Sequence, residues 1–165
     1  MKVILVFSIV LTFAVASFLA SDISASSNTS GAVVRPTPSP EQTKALYDSY
    51  HGVTVGMTAA DARAKLGEAS QRSNSGDYYT ISPTESVQVL YDKEQKVRSI
   101  TINYSGSLKM APSPKDVLGE DVKKEQDGSI YKLVRYPSAG FWVSYNRTAG
   151  GDAIVVITLQ KMPKE

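Results

Sequence analysis

The sequence contains no cysteine and only one histidine, His51, among its 165 residues. The absence of cysteine excludes disulfides, thiolate zinc or iron–sulfur sites, a cysteine nucleophile and a lipid-modified N-terminal cysteine. A single histidine excludes a multi-histidine metal site. Eighteen basic residues against sixteen acidic ones leave a net charge of +2, which is too even a balance for nucleic-acid or anionic-membrane binding driven by net charge.

The N-terminal residues have the pattern of a secretory signal. Lys2 precedes an apolar stretch, Val3–Ala20, and the small residues Ala14–Ala16 form an A-x-A cleavage site. We therefore expect residues 1–16 to be a signal peptide and the protein to be secreted or periplasmic. The alternative is an uncleaved membrane anchor that extends to residue 20, since a predominantly apolar stretch of eighteen residues comes close to the length that spans a bilayer.

Residues 17–38 are rich in Ser, Thr and Pro and show no hydrophobic periodicity. Such a segment buries too little apolar surface to offset the entropy of ordering it. We predict a disordered tether between the N-terminal segment and the folded part of the chain.

Two helices are predicted in the first half of the folded part. Ser39 begins a capping box, so a helix is expected to run from there to Tyr50, with Leu46 on the same face as Tyr50 and Gly52 as the stop. His51 is interpreted as a favourable charge at the C-terminal end of this helix.

The second predicted helix lies between Thr58, its N-cap, and Gly67, which ends it in a left-handed cap. Asp61 is in the third helical position, as in a capping box. The expected buried stripe consists of Ala59, Ala62 and Leu66.

After Gly67 the hydrophobic period changes from 3.6 to 2, which indicates strands. Three antiparallel strands are predicted over residues 77–83, 86–92 and 96–104. Alternation places one set of side chains on the inward face. This set is Val87, Val89, Tyr91, Ile100, Ile102 and Tyr104.

The remaining sequence has a similar order of signals, which indicates an internal duplication. Ser113–Gly119 is a shorter version of the cap, acid and Leu-Gly stop found between residues 58 and 67, and Pro137 follows Pro83 by fifty-four residues. The predicted fold class is α+β, with two tandem helix-plus-three-strand repeats, residues 39–110 and 111–162, forming one antiparallel sheet with helices on one face.

The run Val55-Gly56-Met57-Thr58, followed by Asp61-Ala62 and Leu66-Gly67, resembles the SmpA/OmlA family of small outer-membrane lipoproteins, components of the β-barrel assembly machinery. It is also similar to the tandem-repeat β-lactamase inhibitor protein family. The resemblance covers residues 52–104 well and residues 111–160 weakly. It implies helix pairs packed on a small antiparallel sheet, and it implies a role in envelope assembly as one possible function.

No catalytic, metal or cofactor site is expected. Asp61 and Asp116 occupy helix N3 positions, where capping explains them. There is no Gly-x-Ser-x-Gly elbow and no second histidine for a triad. The chain is therefore predicted not to be an enzyme.

The aromatic residues favour protein binding. Strand alternation directs Trp142 away from the helices. The same reasoning is used to assign six further residues to this outward face, namely Tyr78, Thr80, Ser82, Lys132, Val134 and Tyr136. We predict partner binding by Trp142, Tyr78, Lys132 and Tyr136. The alternatives are that Trp142 is covered by the tether or fills a seam between the repeats.

The sequence therefore predicts an exported, non-enzymatic protein-binding module that uses the open face of an antiparallel sheet. Its expected partner is another protein in the envelope or extracellular space. No nucleic-acid partner is expected, and the membrane is a partner only through an uncleaved N-terminal segment. The alternatives are an envelope-assembly accessory protein and a secreted or periplasmic hydrolase.

Overall fold

The computed structural model describes residues 44–163. The strands and helices are β1 (Ser49–Tyr50), β2 (Val53–Thr54), α1 (Ala59–Leu66), β3 (Gln71–Arg72), β4 (Gly76–Ser82), β5 (Glu85–Tyr91), β6 (Val97–Tyr104), α2 (Pro114–Leu118), β7 (Ile130–Tyr136), β8 (Phe141–Arg147) and β9 (Val155–Lys161). The predicted signal peptide, anchor and tether lie outside the described residues. Within residues 44–163, neither helix is long and apolar enough to cross a membrane.

Seven of the strands form one antiparallel sheet in the order β3-β4-β5-β6-β9-β8-β7. The first two strands pair with each other in a separate small hairpin. The α+β class is therefore confirmed, and most of the strands belong to one antiparallel sheet, as predicted.

The helix predicted from residue 39 to Tyr50 is wrong over its described part, because Ser49–Tyr50 is a strand. The chain turns back at His51 and Gly52, whose φ angles are 48° and 76°, so His51 lies in a hairpin turn and not at a helix end. Tyr50 is buried while Leu46 is 68% exposed. In the observed structure the two residues therefore do not share a buried face.

Both helices begin with the predicted caps. The Thr58 hydroxyl oxygen accepts a hydrogen bond from the Asp61 N–H at 3.2 Å, and α2 has a complete capping box formed by Ser113 and Asp116. Both caps satisfy N–H groups that have no partner within the helix.

The end of α1 differs from the prediction. Gly67 has a φ of 80° with a ψ of −144°, so it is not in the left-handed helical conformation, whereas Gly119 after α2 is in that conformation. Ala59 and Ala62 are fully buried and Leu66 is half-buried, which confirms the predicted stripe for the two alanines.

The hydrophobic core lies on one face of the sheet, here called the core face. The inward set predicted for β5 and β6 is confirmed, since all six residues are at most 6% exposed. The helices α1 and α2 and the β1–β2 hairpin contribute buried residues to this same core. These residues are Ala59, Ala62, Val117, Leu118, Tyr50 and Val53.

The face predicted for β7 is wrong. Val134 pairs with Val143, and Tyr136 pairs with Phe141, so Lys132, Val134 and Tyr136 share the core face. The error comes from applying the fifty-four-residue offset of the prolines to the whole strand. Two positions separated by an even number of residues were assigned to the same face of the sheet. The residues that correspond in the structure, core-facing Tyr79 on β4 and core-facing Tyr136 on β7, are separated by an odd number, so the assignment exchanged the two faces of β7.

Loop length accounts for this change of face. In the β4–β5 hairpin Tyr79 pairs with Val87, eight residues later, whereas in the β7–β8 hairpin Tyr136 pairs with Phe141, five residues later. The first hairpin also has an irregularity between Thr80 and Ser82. Ser82 consequently pairs with Glu85, the partner of core-facing Tyr104, so its predicted outward position is also wrong.

Candidate binding face

The side of the seven-stranded sheet opposite the core is called the outer face. Cross-strand pairing aligns its side chains in three rows that run from β4 to β7. The first row is Gly76, Leu90, Ser99, Gln160, Trp142 and Arg135. The second is Tyr78, Gln88, Thr101, Thr158, Ser144 and Leu133, and the third is Thr80, Ser86, Asn103, Val156, Asn146 and Tyr131.

The chemistry of the outer face is that of hydroxyls, amides and aromatic rings. None of the described residues in its three rows carries a carboxylate, and Arg135 supplies a positive charge at one end of the first row. Arg98, at the β5–β6 irregularity beside the first row, is exposed and adds a second positive charge. A surface with this balance favours a partner that is electronegative or rich in hydrogen-bonding groups.

Trp142 lies on the outer face, as predicted. It pairs with Gln160 on one side and Arg135 on the other, and it is half-buried. Tyr78 is on the same face and is 36% exposed. Because four strand spacings of about 4.8 Å separate β4 from β8, the two rings are roughly 20 Å apart and form separate contact points.

The structure does not bring the other two predicted site residues to this face. Lys132 is on the core side, where its Nζ lies 2.7 Å from a Glu120 carboxylate oxygen. Tyr136 is 1% exposed and its ring centroid is 5.6 Å from that of Phe141. Tyr136 is therefore a core residue that a partner cannot reach.

Sequence reasoning missed Tyr131 and Arg135, which take the outward positions on β7. Tyr131 is 59% exposed. The signal in the sequence was the small number of residues between Tyr136 and Phe141, since a connection this short fixes which residues pair across the hairpin.

Two clefts lie on or beside the outer face. One of about 450 Å³ lies at the end of the first row and is lined by Arg98, Gln160 and Met162, beside an ion pair in which Lys161 Nζ is 3.0 Å from an Asp92 carboxylate oxygen. The other, about 240 Å³, includes Gly76, Tyr78, Gln88 and Leu90. Concave positions of this kind receive protruding side chains in protein complexes.

A buried carboxylate, Asp77, lies on the core face of β4. Arg63 on α1 donates to it from Nε at 2.7 Å and from Nη2 at 3.2 Å. The hydroxyl of Tyr91 donates at 2.7 Å and that of Tyr79 at 3.3 Å, while the Ser73 N–H donates at 3.3 Å. This cluster joins α1 to three positions of the sheet and its β3–β4 turn.

The electrostatics of the cluster are those of a structural ion pair. Burial alone would raise the pKa of Asp77, but the hydrogen bonds from Arg63 and Tyr91 outweigh it and hold the pKa below its usual value. Burial and the hydrogen bond to this carboxylate raise the pKa of Tyr91. A carboxylate held ionised by five donors is a poor general base.

A second polar cluster holds the β1–β2 hairpin against the sheet. The Tyr50 hydroxyl donates to Glu85 Oε1 at 2.8 Å, and the hydroxyl of Tyr104 is hydrogen-bonded to the same carboxylate. Burial, followed by the hydrogen bond to Glu85, raises the pKa of Tyr50. Both tyrosines therefore remain neutral donors over the physiological pH range.

The described part of the chain offers no metal centre, because no three His, Asp or Glu side chains in residues 44–163 lie close enough together to hold an ion. Asp61 and Asp116 both serve in helix caps. Comparison with known protein families, with curated proteins and with solved structures gave no match.

Proposed function

We propose that this chain is an exported, non-enzymatic protein-binding module that contacts its partner through the outer face. The observation that carries the proposal is a sheet with one face buried in the core and the other bearing Trp142, Tyr78 and Tyr131 among hydroxyls and amides. Aromatic rings with polar groups around them are characteristic of protein interfaces.

The size of the outer face also supports a protein partner. Six strands at about 4.8 Å spacing and three rows of side chains span roughly 24 Å by 14 Å. This footprint is wide and shallow, whereas a small-molecule site is a single enclosed cleft.

The partner that fits this surface is an acidic protein surface. Within the three rows the charged residue is Arg135. Beside the first row Arg98 is positive, and the carboxylates of Asp92 and Glu94 are paired with Lys161, at 3.0 Å, and Lys96, at 3.9 Å. Like charges brought together across an interface are costly. Trp142, which lies directly beside Arg135, is the expected centre of the contact, because Trp and Arg predominate among residues that contribute most to binding.

The proposed location outside the cytoplasm rests on the N-terminal sequence pattern. The resemblance to the SmpA/OmlA and β-lactamase inhibitor protein families is likewise carried by the run from Val55 to Gly67. It favours a narrower version of the same function, in which the bound partner belongs to the envelope-assembly machinery.

We also propose that the sheet is made of two helix-plus-three-strand units, residues 39–110 and 111–162. The order of elements supports this, since α1 precedes β4, β5 and β6, and α2 precedes β7, β8 and β9. In the sheet order β6 lies against β9, with β5 and β4 outward on one side and β8 and β7 outward on the other, and β3 is an additional strand beyond β4. Homologous sequences whose two halves share no common pattern would contradict it.

Affinity capture from envelope extract, followed by measurement of the dissociation constant with the purified partner, tests the binding proposal. Trp142→Ala is expected to weaken binding at least thirtyfold, as loss of a central contact does. Arg135→Glu is expected to weaken it at least tenfold if the partner surface is acidic, and added salt should lower the association rate.

Lys132→Ala is the matched control, since this lysine is on the opposite face of the sheet, and it should leave the affinity unchanged. Circular dichroism verifies that each variant is folded. The proposal is wrong if no protein is captured, or if folded Trp142→Ala and Arg135→Glu bind as tightly as the natural chain.

A further inference from the structure

A cleft of about 220 Å³ lies on the opposite side of the sheet from the proposed binding face. It is bounded by the turn Leu108–Met110, by the segment before α2 and by the adjoining ends of β7, β8 and β9. Its walls include Leu108, Pro112, Ile130 and Val155. This is the predominantly apolar lining that small-molecule sites have.

Arg147 is the one charged residue in the lining of this cleft, within the described part of the chain. It occupies a core-face position at the end of β8, paired with Ile130 and Val155, both of which are at most 5% exposed. An arginine at such a position has lost much of its contact with water, so its guanidinium requires other acceptors.

One donor of this guanidinium has no acceptor among the described residues. The Nε atom of Arg147 is buried and has no hydrogen-bond partner among them. The Asp116 carboxylate, in the first turn of α2, accepts through Oδ2 from the Ser113 N–H, at 2.9 Å, and from the Ser113 hydroxyl, at 2.6 Å. A buried donor without an acceptor is costly, and proteins satisfy nearly all such groups.

We propose that this cleft binds a small monocarboxylate with an apolar body, its carboxylate on the Arg147 guanidinium and its hydrocarbon part against Leu108, Ile130 and Val155. The guanidinium offers donors in a planar fork that matches the two oxygens of a carboxylate. The side chain of Tyr145 lines the same cleft and carries a hydroxyl group suited to a carboxylate oxygen.

The volume limits the ligand. At about 30 Å³ for each water-sized group, the cleft of about 220 Å³ holds roughly seven heavy atoms. Isovalerate has this size. The same chemistry is found at the C-terminal residue of a peptide that ends in a small apolar side chain, so the source is either a free short-chain acid or a peptide terminus.

Titration of the ¹⁵N-labelled full-length chain with sodium isovalerate, followed by NMR, tests the proposal. Amide signals of Leu108, Ile130 and Val155 should shift and saturate, with a dissociation constant on the order of 1 mM for so small a ligand. Isovaleramide, which has the same shape without the charge, should bind at least tenfold more weakly.

Two variants locate the charge that recognises the ligand. Arg147→Gln should weaken isovalerate binding at least tenfold, whereas the matched control Arg135→Gln, which removes the same charge from the outer face, should not change it. If Arg147→Gln fails to fold, the comparison of isovalerate with isovaleramide on the natural chain decides the question alone.

The source is identified by acetyl-glycyl-valine with a free or an amidated C-terminus. Tighter binding of the free-acid peptide than of isovalerate identifies a peptide terminus, and exclusion of the peptide identifies a free acid. The proposal is overturned if isovalerate causes no saturable shifts, if isovaleramide binds equally well, or if folded Arg147→Gln retains full affinity. These outcomes are independent of the outer-face proposal.

Discussion

Neutralising Asp77 should strongly destabilise the fold. Its side chain is fully buried and accepts two hydrogen bonds from Arg63, at 2.7 Å and 3.2 Å. In Asp77→Asn an amide of the same size directs a donor toward groups that are themselves donors, and it leaves the arginine without its counter-charge. Breaking a buried ion pair by removing one partner costs about 3–5 kcal/mol. We expect about 3 kcal/mol here, at the low end of that range, because the Arg63 side chain is 25% exposed.

Urea denaturation followed by tryptophan fluorescence measures this loss, since Trp142 is the one tryptophan of the chain. The matched control is Glu120→Gln, which breaks an ion pair with Lys132 of the same 2.7 Å length. Its partners are 36% and 42% exposed, so the expected loss is at most about 0.5 kcal/mol. In both variants the urea concentration at the midpoint of unfolding should fall, while the slope of the free energy of unfolding against urea concentration should change little.

Asp77→Asn should also change how the free energy of unfolding depends on pH in the acid range. Because the folded-state pKa of Asp77 is held below its unfolded value, its contribution is fully present above a pH of about 4 and is lost as the pH falls through the folded pKa. Asp77→Asn should therefore be less pH-dependent than the natural chain below about pH 4. A loss of stability no larger than that of Glu120→Gln, with an unaltered pH dependence in the acid range, would refute the reasoning.

Two further predictions concern the backbone. Gly76→Ala should lower the free energy of unfolding by about 1–3 kcal/mol, because the new Cβ would lie 2.7 Å from both Leu90 Cδ2 and the Val89 carbonyl oxygen. The control is Gly151→Ala, whose new Cβ would have no other atom within 4 Å. Equal melting temperatures of the two variants would contradict the prediction. Ser113→Ala removes the cap of α2 and should cost about 1 kcal/mol by thermal denaturation, whereas an unchanged melting temperature would show that the cap is dispensable.

Local signals predicted much of the fold because they depend on neighbouring residues alone. The caps at Thr58 and Ser113 and the alternation in β5 and β6 are decided by short-range sterics and hydrogen bonding. Each of these signals was sufficient to place an element within a few residues of its observed bounds.

The face of β7 could not be predicted in the same way. It depends on how many residues the chain uses between Tyr136 and Phe141, and on the irregularity near Thr80 in the other hairpin. One residue more or less exchanges the two faces of a strand. Half of the predicted site, Lys132 and Tyr136, was consequently assigned to the wrong side of the sheet.

The partner of Asp77 could not be predicted from the sequence. Alternation with Tyr79 indicates that Asp77 points inward, and a buried carboxylate requires a partner. Several basic residues could supply it, and the choice of Arg63 follows from how α1 packs on the sheet, which is a tertiary property. The cleft at Arg147 was missed for the same reason, because its walls come from four separate segments.

The central pairing of β6 with β9 has a consequence for synthesis of the chain. Val155 pairs with Tyr104, fifty-one positions earlier, so β6 has no neighbour on one side until β9 has left the ribosome. During that interval the first half exposes an open strand edge, which is prone to aberrant pairing. The sheet therefore cannot be completed before β9 has been synthesised, and truncations before β9 should aggregate instead of forming a smaller stable protein.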